Sequence, residues 1–366
     1  MSTNNIPKVL FTDGEGPLIF KDLARDVSAR FNEGQFLFDT ISLYNAFLAE
    51  SRGPNQHGDT LALLVLHLLA HGISDEDLRD EARSTILATG VQSYLRLLRE
   101  NDWQIRVFST AYRHTWEVSG PILGINLDHI AASDVSLEGL KSKFWGAMFQ
   151  EAIFCAEETI LLRKAEILAA QKAFRDGASI EDLFCELEAM RQVCATLDHL
   201  YLKTLPDLGF EPLNDVPVMN GARKVESAIT FCRQMGVEPH SLVYVGDSIT
   251  DDRINVFIRD LGGLPIAVNS DHYGLRNAVV AVATEDMSAL VPILETWTEG
   301  GLRGVRAFIE SGHSHSVGKE RMSSLEQEVP TRYDFVALAS EQEILRIAQV
   351  HKETRSRIRR TPPPIL

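Results

Sequence analysis

The sequence predicts an α/β fold in which a parallel sheet core is interrupted by two helical insertions. Short apolar runs at residues 8–12, 105–109, 129–132, 241–245 and 264–268 read as strands, and helical periodicity lies between them, as a parallel sheet requires. Two stretches, 19–99 and 141–214, are far too long to be single crossover helices and read as insertions. Acids directly follow two of the strands, Asp13 and Asp247, and in an open parallel sheet ligands sit beyond the carboxyl ends of the strands. The chain therefore divides into a first core strand (1–18), a helical cap insertion (19–99), core (100–140), a second helical insertion (141–214), core (215–296) and a C-terminal extension (297–366).

The first insertion holds amphipathic segments at 37–50 and 60–71, and then Ser74-Asp75-Glu76-Asp77, a helix start with acids in its first turn. In the second, charged and apolar residues alternate at helical spacing, and Gly177 ahead of Ala178-Ser179-Ile180-Glu181 marks a break between helices. Residues 206–217, with three prolines and a glycine, return the chain to the sheet as a loop. In the extension, 311–316 reads as loop and 340–351 as a helix, and no chemistry is assigned to it. The basic run from Arg355 to Arg360 reads as a solvated helix end before the stop at Pro362–Pro364.

With 366 residues and 45% hydrophobic content, the chain can bury a large core. A net charge of −15 leaves no phosphate-neutralising excess, which argues against nucleic-acid binding. No apolar run approaches a membrane span and no leader pattern opens the chain, so a cytoplasmic location is expected. Cys155, Cys185, Cys194 and Cys232 lack metal-knuckle or disulfide spacing. His67 and His71 share a helix face at a zinc-compatible spacing but have no evident third ligand, so a structural role is preferred.

The chemistry is carried by Val9-Leu10-Phe11-Thr12-Asp13-Gly14-Glu15-Gly16-Pro17 and by Leu242-Val243-Tyr244-Val245-Gly246-Asp247-Ser248-Ile249-Thr250-Asp251-Asp252. A carboxylate can attack a phosphate ester only if a cation neutralises both anions. Magnesium suits that task with one or two carboxylates, a carbonyl and the substrate phosphate as ligands. Asp13 and Asp247 can supply the carboxylates, and Glu15 can reach past the metal to the leaving oxygen as general acid, then deprotonate a water.

These segments, with Val107-Phe108-Ser109-Thr110 and Gly221-Ala222-Arg223-Lys224, resemble the four ordered motifs of the haloacid dehalogenase (HAD) superfamily of phosphohydrolases. The resemblance covers about half of the chain and implies a Rossmann-like parallel sheet beneath two helical caps. It implies Asp13 as nucleophile, Glu15 as acid/base, Ser109 with the adjacent Thr110 and Lys224 as phosphate-binding residues, and Asp13, Glu15, Asp247 and Asp251 as the acidic set around Mg2+. Within the superfamily, the Asp-Gly-Glu-Gly-Pro form and Ile266-Ala267-Val268-Asn269 also resemble a branch of archaeal hydrogenase-associated proteins. Two departures stand out: Glu15 replaces the usual Asp, and Pro17 stands where Thr is usual. The implied activity is hydrolysis of a small phosphate ester through an aspartyl-phosphate. Apart from that resemblance, the cap helices are a candidate surface for a homo-oligomer. The alternative is a non-catalytic phosphate- or metabolite-binding accessory subunit.

Overall fold

The computed structural model describes residues 7–53, 55–144, 146–175, 177–311 and 331–358. Its centre is a seven-stranded sheet of order β3-β2-β1-β4-β5-β6-β7. The strands are β1 (Val9–Thr12), β2 (Gln104–Tyr112), β3 (Ile130–Ser133), β4 (Val243–Gly246), β5 (Leu264–Val268), β6 (Val280–Thr284) and β7 (Thr331–Phe335). Every neighbouring pair is parallel except β6 and β7. Because helices cover both faces, β1, β4, β5 and β6 are buried along their whole length, which is why they read as unbroken apolar runs. The chain winds outward from β1 through β2 to β3, then crosses back to β4 and winds the other way. The reversal opens a crevice between the ends of β1 and β4.

β6 and β7 are additions to the strands expected from sequence. β6, Val-Ala-Val-Ala-Thr, has the apolar, β-branched character of a central strand. β7, Thr-Arg-Tyr-Asp-Phe, is half-buried throughout and gives no alternating signal; it closes the edge of β6 in antiparallel register, and it lies within the C-terminal extension. β2 runs beyond Ser109 to Tyr112, and its pairing with β3 shifts register between Ser109 and Tyr112. Such irregularities re-aim side chains next to sites. Tyr112 is fully buried, and its hydroxyl donates to the Leu61 carbonyl at 2.8 Å, tying the strand end to the first insertion.

The two insertions are separate in sequence and continuous in space. Ile41, Leu64 and Leu68 of the first share one apolar core with Ile153, Met190 and Leu197 of the second. Polar ties reinforce this junction: the Tyr44 hydroxyl donates to Asp198 at 2.7 Å, and Lys164 pairs with Glu33 at 2.6 Å. Helix starts follow from local chemistry; Ser74 and Asp77 form a reciprocal capping box, and Ser179 caps the helix after Gly177. None of the helices among the described residues is long and apolar enough to cross a membrane.

His67 and His71 serve this same junction. The Glu157 carboxylate lies 2.6 Å from His67 Nδ1 and 2.8 Å from His71 Nε2, while His67 Nε2 meets the Tyr201 hydroxyl at 2.7 Å. Burial alone would raise the Glu157 carboxyl, but the bonds from His67 and then His71 outweigh it and bring it from 4.5 down to about 2. A depressed acid contributes stability that is fully present above its unfolded pKa and lost as pH falls through the folded one. For Glu157, which is 6% exposed, this amounts to roughly 3 kcal/mol, lost between pH 4.5 and about 2. Glu157→Gln is therefore expected to lower unfolding free energy by roughly 2–3 kcal/mol at pH 7. The deficit should shrink to less than half at pH 3, as read by urea denaturation of both proteins.

Candidate active site

β1 and β4 end side by side, with the Asp13 amide donating to the Val245 carbonyl at 2.7 Å. Asp13 and Asp247 are each 4% exposed and Asp251 is fully buried, and one oxygen from each lies within 4.8 Å of the others. The turn after Asp13 makes the approach possible. Gly14 N–H donates to Asp13 Oδ1 at 2.6 Å, and Gly16 sits at φ +93° with the Asp247 carboxylate occupying the space a Cβ would need. Any side chain at position 16 would both strain the backbone and push the two acids apart.

Lys224 enters from the first turn of the Gly221–Met235 helix, whose start is capped by Asn220 accepting from the Arg223 N–H at 3.1 Å. Its ammonium is fully buried and donates to Asp251 Oδ1 at 2.7 Å and to Asp13 Oδ2 at 3.0 Å, with Thr250 Oγ1 at 3.4 Å. Arg223 turns instead to the Val218 carbonyl, at 3.2 Å. Burial would lower the Lys224 ammonium, but Asp13 and Asp251 together raise it above its ordinary value, so it stays charged.

Asp251 is saturated with donors. Oδ1 receives Lys224 and the Tyr244 hydroxyl at 2.5 Å, and Oδ2 receives the amides of Asp247 at 2.9 Å and Ser248 at 3.2 Å. Burial would raise its pKa; Lys224 first, then Tyr244 and the Asp247 amide, reverse this and hold it below the usual carboxylate range. Asp251 thus anchors the lysine and the loop after β4. Asp13 moves the other way, raised well above its ordinary value by burial and by Asp251, with Lys224 only partly offsetting them and Asp247 adding to the rise.

Glu15 lies two residues beyond Asp13 and outside the Asp13–Asp247–Asp251 oxygen cluster. Its Oε1 accepts from the Leu23 N–H at 3.4 Å, and it lines a cavity of about 160 Å3 together with Asp13, Thr110 and Asp247. Burial, then Asp22 and Asp13, raise its carboxyl well above the usual range, which keeps a proton on it where an ordinary glutamate has lost it. Of the two residues at the second motif, Thr110 lines the cavity, with its Oγ1 buried and without a hydrogen-bond partner. Ser109 is fully buried, and its Oγ accepts from the Ala111 N–H at 3.2 Å. The roof is the first insertion, through Arg25, Phe38, Asn45 and His57.

One site residue differs from the sequence expectation. The C-terminal helix spans Glu341–Ile358, beyond the expected end at 351, and carries Arg355 into the cavity instead of into solvent. Its Nη2 forms a close ion pair with Asp247 Oδ2 and lies 3.4 Å from the Asp247 carbonyl oxygen. Residues 359 and 360 of the basic run lie outside the described residues. The signal was present: Ile344, Ile347, His351 and Thr354 form a buried stripe at helical spacing, and Arg355 lies one turn after His351 beside it.

The donor set fits a hard divalent cation. The cluster offers only carboxylate oxygens, and among the described residues no other group of three or more acid, His or Cys side chains meets the same spacing. Asp13 and Asp247 would hold such a cation, with Asp251 fixing the loop behind them. Because a raised carboxyl must lose its proton to become a ligand, Mg2+ affinity is expected to increase as pH rises, with protons released on binding. Calorimetry at pH 6 and pH 8, in buffers of different ionisation enthalpy, checks both.

Neither a protein-family model nor a curated protein matches this chain. Among solved structures it is similar to a gene product, AF1437, of Archaeoglobus fulgidus, at TM-score 0.72 and 21% identity over 96% of this chain and 97% of that one. Matches at lower TM-score include a substrate-bound phosphoserine phosphatase complex (0.46, 13% identity, 78% of this chain and 97% of that one). Another is a HAD family hydrolase from Salmonella enterica serovar Typhi (0.42, 11% identity, 73% and 64%). The archaeal likeness shows that the fold, an α/β parallel sheet with helical insertions, is shared along nearly the whole of both chains.

Proposed function

We propose that this chain is a magnesium-dependent phosphohydrolase of the HAD type that cleaves a small phosphate ester through an aspartyl-phosphate on Asp13. The observation that carries this reading is the buried Lys224 ammonium bridging Asp13 and Asp251, with Asp247 alongside at the crevice between β1 and β4. A nucleophilic carboxylate needs that cation beside it to accept an approaching phosphate.

Asp13 is held for in-line attack by the Gly14 N–H and by Lys224. Bound Mg2+ would supply neutralisation of the nucleophile and the phosphoryl oxygens. Lys224 and the Thr110 hydroxyl stabilise the transferring group from the protein side. Glu15, kept protonated by burial and by Asp22 and Asp13, gives its proton to the leaving oxygen; its carboxylate then takes one from the water that releases phosphate. The extra methylene of a glutamate lengthens its reach, and the Leu23 amide holds it at a distance from the acid cluster. The enclosing insertions and the cavity of about 160 Å3 favour a small ester over a folded phosphoprotein.

A panel of small phosphomonoesters assayed with Mg2+ tests the reading; absence of phosphate release from all of them, under conditions where the protein binds Mg2+, counts against it. Glu15→Gln is expected to lower kcat about 10²–10⁴-fold with folding intact, because it removes both proton transfers and keeps the side-chain shape. Wild-type-like turnover in that variant would exclude Glu15 as the acid/base.

A further inference from the structure

The helix that delivers Arg355 is fixed on the sheet at several points before it reaches the acids. Ile344 and Ile347 pack in one apolar layer with Ala267, Leu275, Ala281 and Val336. One turn on, the fully buried His351 accepts the Ser270 N–H on Nδ1 at 2.9 Å, and at the far end Arg357 pairs with Glu285 at 2.6 Å. Burial, then Arg355 and Arg332, push the His351 imidazole down to about 3, so it is neutral and able to accept that bond. The position of Arg355 is therefore set by helix register. Its side chain is 14% exposed, unlike that of a surface arginine.

The contact it makes is strong in charge and imperfect in geometry. Nη2 makes both contacts with Asp247, while Nε is buried with no hydrogen-bond partner. An unmatched buried donor is destabilising, and a two-pronged arginine–carboxylate fork would avoid that cost. Asp271, on the loop after β5, and then Asp251 act on this guanidinium only electrostatically. On the opposite side of the cluster Lys224 is fully engaged with Asp13 and Asp251. Among the described residues, Arg355 is thus a cation that pairs with Asp247.

Resting on the phosphohydrolase reading above, we propose that Arg355 and a divalent cation compete for the Asp247 carboxylate, so that the C-terminal helix is a built-in gate on metal loading. The guanidinium already holds one oxygen of the carboxylate that a divalent ion would take, and two cations brought together in a buried site repel strongly. Displacement is eased because the arginine leaves behind a poorly matched donor. By linkage, docking of Arg355 weakens cation binding by the same factor that cation binding weakens docking.

Calorimetric titration of the full-length protein and its Arg355→Met variant with Mg2+ reads the first half of that linkage. The variant is expected to bind Mg2+ at least about 5-fold more tightly, the lower end of typical coupling. Equal or weaker binding by the variant overturns the gate and leaves the metal site standing; absence of Mg2+ binding by both proteins overturns the metal site and the gate together. Hydrogen exchange of the wild type, with and without Mg2+, reads the second half and needs no variant to fold. Faster exchange in the last turns of the Glu341–Ile358 helix on adding Mg2+ is expected, and slower or unchanged exchange there overturns the gate.

Discussion

Asp13→Asn is expected to lower phosphate release by about 10⁴-fold or more, the scale on which removal of a covalent nucleophile acts. The substitution keeps the shape of the side chain and an oxygen to accept the Gly14 N–H, and it leaves Lys224 bound to Asp251. The loss therefore isolates nucleophilicity. The same change should not destabilise the fold. An acid whose folded pKa is raised costs stability that is absent below its unfolded value of 3.8 and grows as pH rises toward the folded value. At pH 8 the asparagine variant should melt at the same temperature as the wild type or higher, while doing no chemistry. Loss of activity with a large fall in melting temperature would mean that Asp13 is structural.

Lys224→Met is expected to damage both activity and stability. The ammonium is fully buried between two carboxylates, and removal of one partner from such a group leaves uncompensated buried charge, at a cost of roughly 3–5 kcal/mol. A lysine whose folded pKa is raised contributes stability that is fully present below its unfolded value of 10.5, so the whole contribution is at stake at pH 7. In the variant, Asp13 and Asp251 can shed their charge only by taking up protons. Its deficit should therefore narrow as pH falls from 8 to 5. Chemical denaturation across that range checks the trend, and a deficit independent of pH would show that packing, not charge, is what Lys224 supplies.

The sheet core was legible because its strands are buried on both faces and end in polar punctuation: Val9–Thr12 before Asp13, and Val243–Gly246 before Asp247. The lysine was legible too, through the Asn220-Gly221 helix start that places position 224 one turn in. What sequence left out is contact information. It does not show that the insertions share one core across residues 41 to 197, or that Glu157 is the partner of His67 and His71. Nor does it distinguish Ser109 from Thr110, of which only Thr110 lines the cavity. Asp251 matches its motif, yet its four donors make it an anchor for Lys224 and the β4 loop. Arg355 was hidden because a basic run near a chain end looks solvated until the buried stripe that precedes it is followed one turn further.

The proposed covalent step on Asp13 can be trapped directly. Hydroxylamine added during Mg2+-dependent turnover of a small phosphate ester cleaves an acyl phosphate and leaves a hydroxamate on the carboxyl that carried it. Mass spectrometry of the digested protein is expected to place that modification on Asp13, and only when both Mg2+ and ester are present. Phosphate release with Asp13 unmodified, or with the modification on another residue, would contradict it.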